Sequence, residues 1–203
     1  MRVTSAEFLQ SCPGLESCPP DDVPEFAFIG RSNVGKSSLL NLLTGKQGLA
    51  RVSQTPGCTQ LINFFKINGT FRMVDLPGYG YAKVPKGHRV AFQDIIAGYI
   101  ADRPNLRRVF VLVDSRHEPQ KIDLEFLEWL GEVDRPFAVV FTKTDKLKPS
   151  HVKKNTEAFL EALAAVHAGT PDVFLTSSKT RDGKREILGS IGAILDAAAL
   201  RAE

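Results

Sequence analysis

Residues 25 to 44 read EFAFIGRSNVGKSSLLNLLT, and this stretch decides the fold. Glu25 to Gly30 is a short apolar run ending in glycine, which predicts a buried strand. Lys36 to Thr44 carries Leu39, Leu40, Leu42 and Leu43 in the pattern of a buried helix, stopped by Gly45. Between them Gly30-Arg31-Ser32-Asn33-Val34-Gly35-Lys36-Ser37 fits the pattern G-x-x-x-x-G-K-S, with Ser38 next in the helix. A phosphate group is anionic and strongly hydrated, so a site for it must replace water with fixed donors. A glycine-rich turn after a strand exposes consecutive backbone N–H groups, and the following helix aims its positive end at the same point. Gly30 and Gly35 let the chain bend and approach without a clashing Cβ. Lys36 reaches the β- and γ-phosphates, and the Ser37 hydroxyl is a magnesium ligand.

Downstream, residues 46 to 59 form a polar loop holding Pro56 and Gly57. Loops of that length in compact domains are usually functional. Leu61 to Ile67 and Thr70 to Asp75 read as strands joined by Asn68-Gly69, a strong signal for an antiparallel hairpin. Strand and helix then alternate. Helices are predicted over 87–101, 121–130, 150–167 and 185–200, and strands over 108–114, 137–141 and 172–176. That alternation predicts an α/β fold, a mostly parallel sheet with helices on both faces and right-handed crossovers. Upstream, residues 1 to 24 hold Pro13, Pro19, Pro20 and Pro24 and read as an extended lead-in with a short helical turn at Ala6 to Gln10. The expected division is an N-terminal extension over 1–22 and a single nucleotide-binding domain over 23–200.

Composition is consistent with this. At 203 residues, one domain is expected. The chain is 43% hydrophobic and 24% charged, as in ordinary globular proteins. No apolar run approaches the roughly 20 residues of a membrane helix, and residues 1–7 lack a signal core. A cytoplasmic protein is expected. Cys12, Cys18 and Cys58 are odd in number and loosely spaced, so they read as free thiols rather than a disulfide or zinc framework. A net charge of +3 permits an anionic partner without demonstrating one.

Three further strand-end segments give the loop a specific meaning. Asp75-Leu76-Pro77-Gly78 places a carboxylate where it can hold magnesium through water and a Gly78 N–H where it can bond a γ-phosphate; in isolation it would read as a turn. Thr142-Lys143-Thr144-Asp145 offers a carboxylate to the N1–H and 2-amino donors of guanine, a pair that adenine lacks. Sites built to bond a particular group strongly reject analogues without it. The Lys143 stem can pack over the base. Ser177-Ser178-Lys179 follows the last strand, which ends at Thr176, and a backbone N–H there can meet guanine O6; Thr176 joins them in the nucleotide set. The ordered set predicts binding of GTP and GDP with magnesium.

With these elements in place, the chain resembles the EngB (YihA/YsxC) family of bacterial GTPases, in the Era-like branch of P-loop GTPases. The resemblance rests on residues 30–39, Thr55 to Gln60, Asn63-Phe64-Phe65, the stretch DLPGYGYA at 75–82, and Thr142 to Asp145. It implies a Ras-like six-stranded sheet in the order 2-3-1-4-5-6 with strand 2 antiparallel. It implies GTP hydrolysis, participation in assembly of the large ribosomal subunit through its rRNA and proteins, and a link to cell division and septation. It assigns the Gly57-Cys58-Thr59-Gln60 segment to the nucleotide, with Thr59 joining Ser37 and Asp75 on magnesium. Thr55 is the nearby competitor, and the family pattern favours Thr59. Lys36, Thr59 and Gly78 become the catalytic set. Cys58 stands where a basic residue is more usual. Tyr79 stands where many G proteins carry a water-orienting glutamine, and a phenol is a poor substitute for an amide. Asn33 resembles an asparagine that in some relatives helps hold a potassium ion; the other reading is a loop asparagine bonding its own backbone. A monomer is expected. Lys83, Lys86, Arg89, Arg103, Arg107, Arg108, Arg116 and Lys121 give a basic surplus suited to rRNA phosphates. Two other functions compete: a GTP-regulated binding module in septation with negligible hydrolysis, and a small-molecule kinase, which would need an acceptor site.

Overall fold

The computed structural model describes residues 1–50, 61–79 and 86–200, the side chains of 86–93 excepted. Its strands are β1 (Ala6–Cys12), β2 (Glu25–Gly30), β3 (Ile62–Ile67), β4 (Phe71–Asp75), β5 (Leu106–Asp114), β6 (Phe137–Thr142) and β7 (Asp172–Leu175). Its helices are α1 (Lys36–Thr44), α2 (Lys86–Asp102), α3 (Lys121–Glu132), α4 (Pro149–Ala164) and α5 (Lys184–Ala199). The strands form one sheet in the order β1-β3-β4-β2-β5-β6-β7. β3 is antiparallel to both neighbours, and the pairs from β4 to β7 are parallel. Counted from β2, the order is the 2-3-1-4-5-6 that the family resemblance implies.

Two expectations are corrected. The sheet has seven strands rather than six, and Ala6 to Gln10 is strand rather than a helical turn. The register between β1 and β3 slips between Phe8 and Gln10, a bulge that interrupts the two-residue alternation. Along β1 only Ala6 and Cys12 are buried, so no strand periodicity is written in the sequence. The hairpin turn secures this edge. Asn68 and Gly69 have φ of 53° and 72°, the left-handed pair of a tight hairpin. The Asn68 carboxamide oxygen accepts hydrogen bonds from the Thr4 and Ser5 backbone N–H groups at 2.8 and 3.1 Å.

Alternate residues of the central strand feed two cores. Phe26 and Phe28 pack with Leu39, Leu40 and Leu43 of α1 and Ile187 and Ile191 of α5. Ala27 and Ile29 pack with Tyr99 and Ile100 of α2, Leu127 and Leu130 of α3, and Phe159 of α4. Both faces of the sheet are therefore covered, and the loops gather at the carboxyl ends of the parallel strands. Ligands of open α/β sheets bind at that edge. No described helix is long and apolar enough to cross a membrane.

The opposite edge is closed by a buried charge cluster. Glu25 is fully buried. It accepts hydrogen bonds from the Tyr99 hydroxyl at 2.7 Å, Arg103 at 2.8 and 2.9 Å, and Arg72 at 3.2 Å. Arg72 and Arg103 also donate to the carbonyls of Pro20 and Pro19, which ties the proline-rich lead-in to the sheet.

Candidate functional site

The segment between β2 and α1 wraps the first turn of the helix. Val34 N–H donates to the Arg31 carbonyl at 3.2 Å, and Gly35 precedes α1 with φ of 108°, a left-handed value that disfavours a side chain. The backbone of residues 30–35 thus arrives at the positive end of a nine-residue helix. Lys36 is buried, and its ammonium contacts the buried carboxylate of Asp75 at the end of β4. Ser37 and Ser38 follow, both half-buried.

Beyond Asp75 the chain continues beside β2, with Leu76 N–H donating to Phe28 carbonyl at 3.0 Å. Leu76 and Pro77 are buried. A Cβ built on Gly78 would fall 2.7 Å from the Gly30 carbonyl oxygen and 3.4 Å from the Ser32 nitrogen. Gly78 therefore lies flush against the phosphate loop, an approach no larger residue could make. The other predicted switch residues, Gly57, Cys58, Thr59 and Gln60, lie outside the described residues, as does the competing Thr55.

The end of β6 clasps the same loop. Thr142 hydroxyl donates to Val34 carbonyl at 2.6 Å, and Lys143 ammonium to Asn33 carbonyl at 2.6 Å. Asn33 and Lys143 both adopt positive φ, 63° and 61°. Lys143 also pairs with Asp114 at 2.8 Å. Burial raises the pKa of Asp114, but hydrogen bonds from Arg116 and Lys143 outweigh it and hold the carboxyl far below the usual carboxylate range. Asp114 stays charged and keeps Lys143 in place. Sequence reasoning did not place Asp114 in the site; its position at the end of a strand, like Asp75 and Thr142, was the available signal.

Asp145 and the β7 loop form the third wall. Thr144 N–H donates to Thr176 carbonyl at 3.2 Å, which joins the two segments. The Ser177 hydroxyl receives the N–H groups of Lys179 and Thr180 at 3.2 and 3.1 Å and donates to Asp145 Oδ1 at 2.7 Å. Asp145 Oδ2 is buried with no hydrogen-bond partner among the described residues; the Lys146 ammonium stands 3.8 Å away. A buried carboxylate oxygen without a donor is costly, and it marks where a donor from a ligand fits. Ser178 and Lys179 are exposed at the rim.

Several predicted surface cations have other duties. Arg103 belongs to the Glu25 cluster, Arg108 pairs with Asp172, and Arg116 pairs with Asp114. Arg103 and Arg108 are half-buried, and Arg116 is exposed. Arg107 and Lys121 are also exposed, and Lys121 pairs with Glu125 at 3.3 Å. Lys83 and the side chains of Lys86 and Arg89 lie outside the described residues. Tyr99 is fully buried, and His117 is exposed, 4.0 Å from Asp114. Cys12 and Cys18 are free, and burial beside Cys12 pushes the Cys18 thiol up to about 12.

Comparison with known proteins bears on this geometry. The family described as 50S ribosome-binding GTPase matches residues 25–143. The probable GTP-binding protein EngB of Porphyromonas gingivalis is 53% identical over 194 residues, 96% of each chain. That of Bacteroides fragilis is 52% identical over the same share. A crystal structure of a probable GTP-binding protein EngB superposes with a TM-score of 0.69 at 28% identity, covering 85% of this chain and 99% of that one.

Proposed function

The chain belongs to the EngB family of GTP-binding GTPases, and from that premise we propose that it acts as a GTP-hydrolysing switch in assembly of the large ribosomal subunit, required for normal division and septation. The unpartnered Asp145 Oδ2 carries the nucleotide reading. It supplies the acceptor that guanine N1–H and 2-amino groups need, on a loop already fixed to Ser177. The backbone of residues 30–38 cradles the phosphates, and Lys36 exchanges its contact with Asp75 for phosphate oxygens. Thr176 to Lys179 line the base, and Thr142 to Thr144 hold the base loop against the phosphate loop.

Ser37, Asp75 and Thr59 are the proposed magnesium ligands. Ser37 and Asp75 are hard oxygen donors beside the phosphate loop, which fits that ion. When bound, magnesium neutralises charge on the β- and γ-phosphates. Gly78 offers its N–H to the γ-phosphate. Tyr79, the next residue, is buried with its hydroxyl engaged by Asp123 at 2.9 Å, so it does not replace a water-orienting glutamine. Slow turnover follows. Phosphate release by the isolated protein is expected below about 10⁻² per second; several per second would refute this, and GDP formed only with an added acceptor, the phosphoryl group passing to it rather than to water, would favour a kinase.

A potassium ion beside Asn33 fits the exposed position of that residue on the phosphate loop, where the ion would add the charge an arginine finger supplies elsewhere. Turnover is expected to be faster in KCl than in NaCl at equal ionic strength, and identical rates would remove the ion from the account. Large-subunit rRNA and proteins are the proposed partners, met in the cytoplasm by a monomer whose residues 1–22 extend the domain of 23–200. Depletion of the protein from cells should accumulate particles sedimenting short of the mature large subunit. A normal subunit profile with defective septation would favour the septation-module reading instead.

A further inference from the structure

Three side chains from separate segments meet at Asp123, a residue outside every motif named above. Asp123 lies in the first turn of α3 and is fully buried. Its Oδ1 accepts the Tyr79 hydroxyl at 2.9 Å. Arg31 Nε stands 3.4 Å from its Oδ2, an ion-pair separation, and this oxygen has no hydrogen bond among the described residues. The Tyr79 ring stacks on Phe126 of α3 with centroids 4.4 Å apart. Burial, and then the neighbouring Asp123, keep the Tyr79 phenol well above its ordinary pKa, so it serves as a donor.

The chain positions of the two partners give this contact its meaning. Arg31 is the second residue of the phosphate loop. Tyr79 directly follows Gly78, whose backbone is pressed against Gly30 and Ser32. Asp123 thus fastens both sides of the place where a γ-phosphate would meet the Gly78 N–H.

We propose that Asp123 is a positioning residue that, through Tyr79 and Arg31, holds Gly78 against the phosphate loop and so sets how much more tightly the site binds GTP than GDP. The proposal rests on the phosphate-loop reading above. A donor fixed in advance needs no ordering when its ligand arrives. GDP has no γ-phosphate for Gly78 to meet, so loosening Gly78 weakens GTP binding and leaves GDP binding nearly unchanged. A purely structural role would lower stability and move both affinities alike.

Two variants separate these cases. Tyr79→Phe keeps the ring on Phe126 and deletes the hydroxyl bond. Asp123→Asn keeps the side-chain size and removes the charge facing Arg31. Calorimetric titration of the full chain with a non-hydrolysable GTP analogue and with GDP is accompanied by thermal unfolding of each variant. The expected result is a loss of about fivefold in affinity for the analogue, with GDP within about twofold of wild type. An unchanged ratio of the two affinities in both variants overturns the proposal, whatever the unfolding temperatures. Wild-type protein that binds neither nucleotide overturns the phosphate-loop reading and this proposal with it.

Discussion

Asp145→Asn is expected to turn the protein from a GTP binder into an XTP binder, shifting the ratio of the two affinities by about 10⁴. The direction follows from Ser177. Its hydroxyl accepts two backbone N–H groups and donates to Asp145 Oδ1. In the variant that same donor selects the rotamer with the amide oxygen at Oδ1 and the NH₂ at the Oδ2 position. A donor then faces the guanine donors, and the base is rejected. Xanthine presents a 2-oxo acceptor there and keeps N1–H, so it fits. Competition of GTP, XTP and ATP for the purified variant measures the change. A retained preference for GTP would remove Asp145 from the base site and, with it, the reason to read the loops of β6 and β7 as a guanine pocket.

The second large effect lies at the opposite edge of the sheet, at the start of β2. Glu25→Ala should destabilise the fold by about 3–5 kcal/mol, because it strands two guanidiniums and a buried phenol that now share one carboxylate. Glu25→Gln keeps an acceptor for Tyr99 and should cost less. Urea unfolding of the three proteins gives the comparison. β2 spans about 16 Å from Glu25 to Gly30, so the folded fraction of Glu25→Ala should bind GTP analogue with the wild-type constant. A loss of stability below about 1 kcal/mol would mean that the cluster is no anchor.

The parts of the fold written in local pattern were legible in the sequence. β2 and α1 have the bounds expected from an apolar run ending in Gly30 and a leucine-rich stretch ending before Gly45. Asn68-Gly69 named its hairpin because few residue pairs tolerate two left-handed positions in succession. β1 was not legible. Its bulge breaks the alternation, and its paired residues lie 50 to 61 positions further along the chain, from Cys12↔Ile62 to Ala6↔Ile67, so its identity depends on tertiary pairing. The site shows the same division. The phosphate loop, Asp75, and the segments at 142–145 and 176–179 stand in fixed relation to strand ends, and the structure brings them together. The Asp123 contact had no signal at all, since an aspartate in the first turn of an amphipathic helix reads as a solvated charge favoured by the helix dipole. For the basic residues the sequence displays charge but not its pairing. A count of cations between 81 and 121 does not reveal that Arg103, Arg108 and Arg116 each face a carboxylate.

Under the proposed function the nucleotide gates ribosome binding, and the most direct test is sedimentation of the purified protein with large ribosomal subunits. Three buffers are compared: non-hydrolysable GTP analogue, GDP and no nucleotide. Co-migration with the analogue alone is the predicted result. Equal co-migration in all three, or none in any while GTP binding is intact, would contradict it.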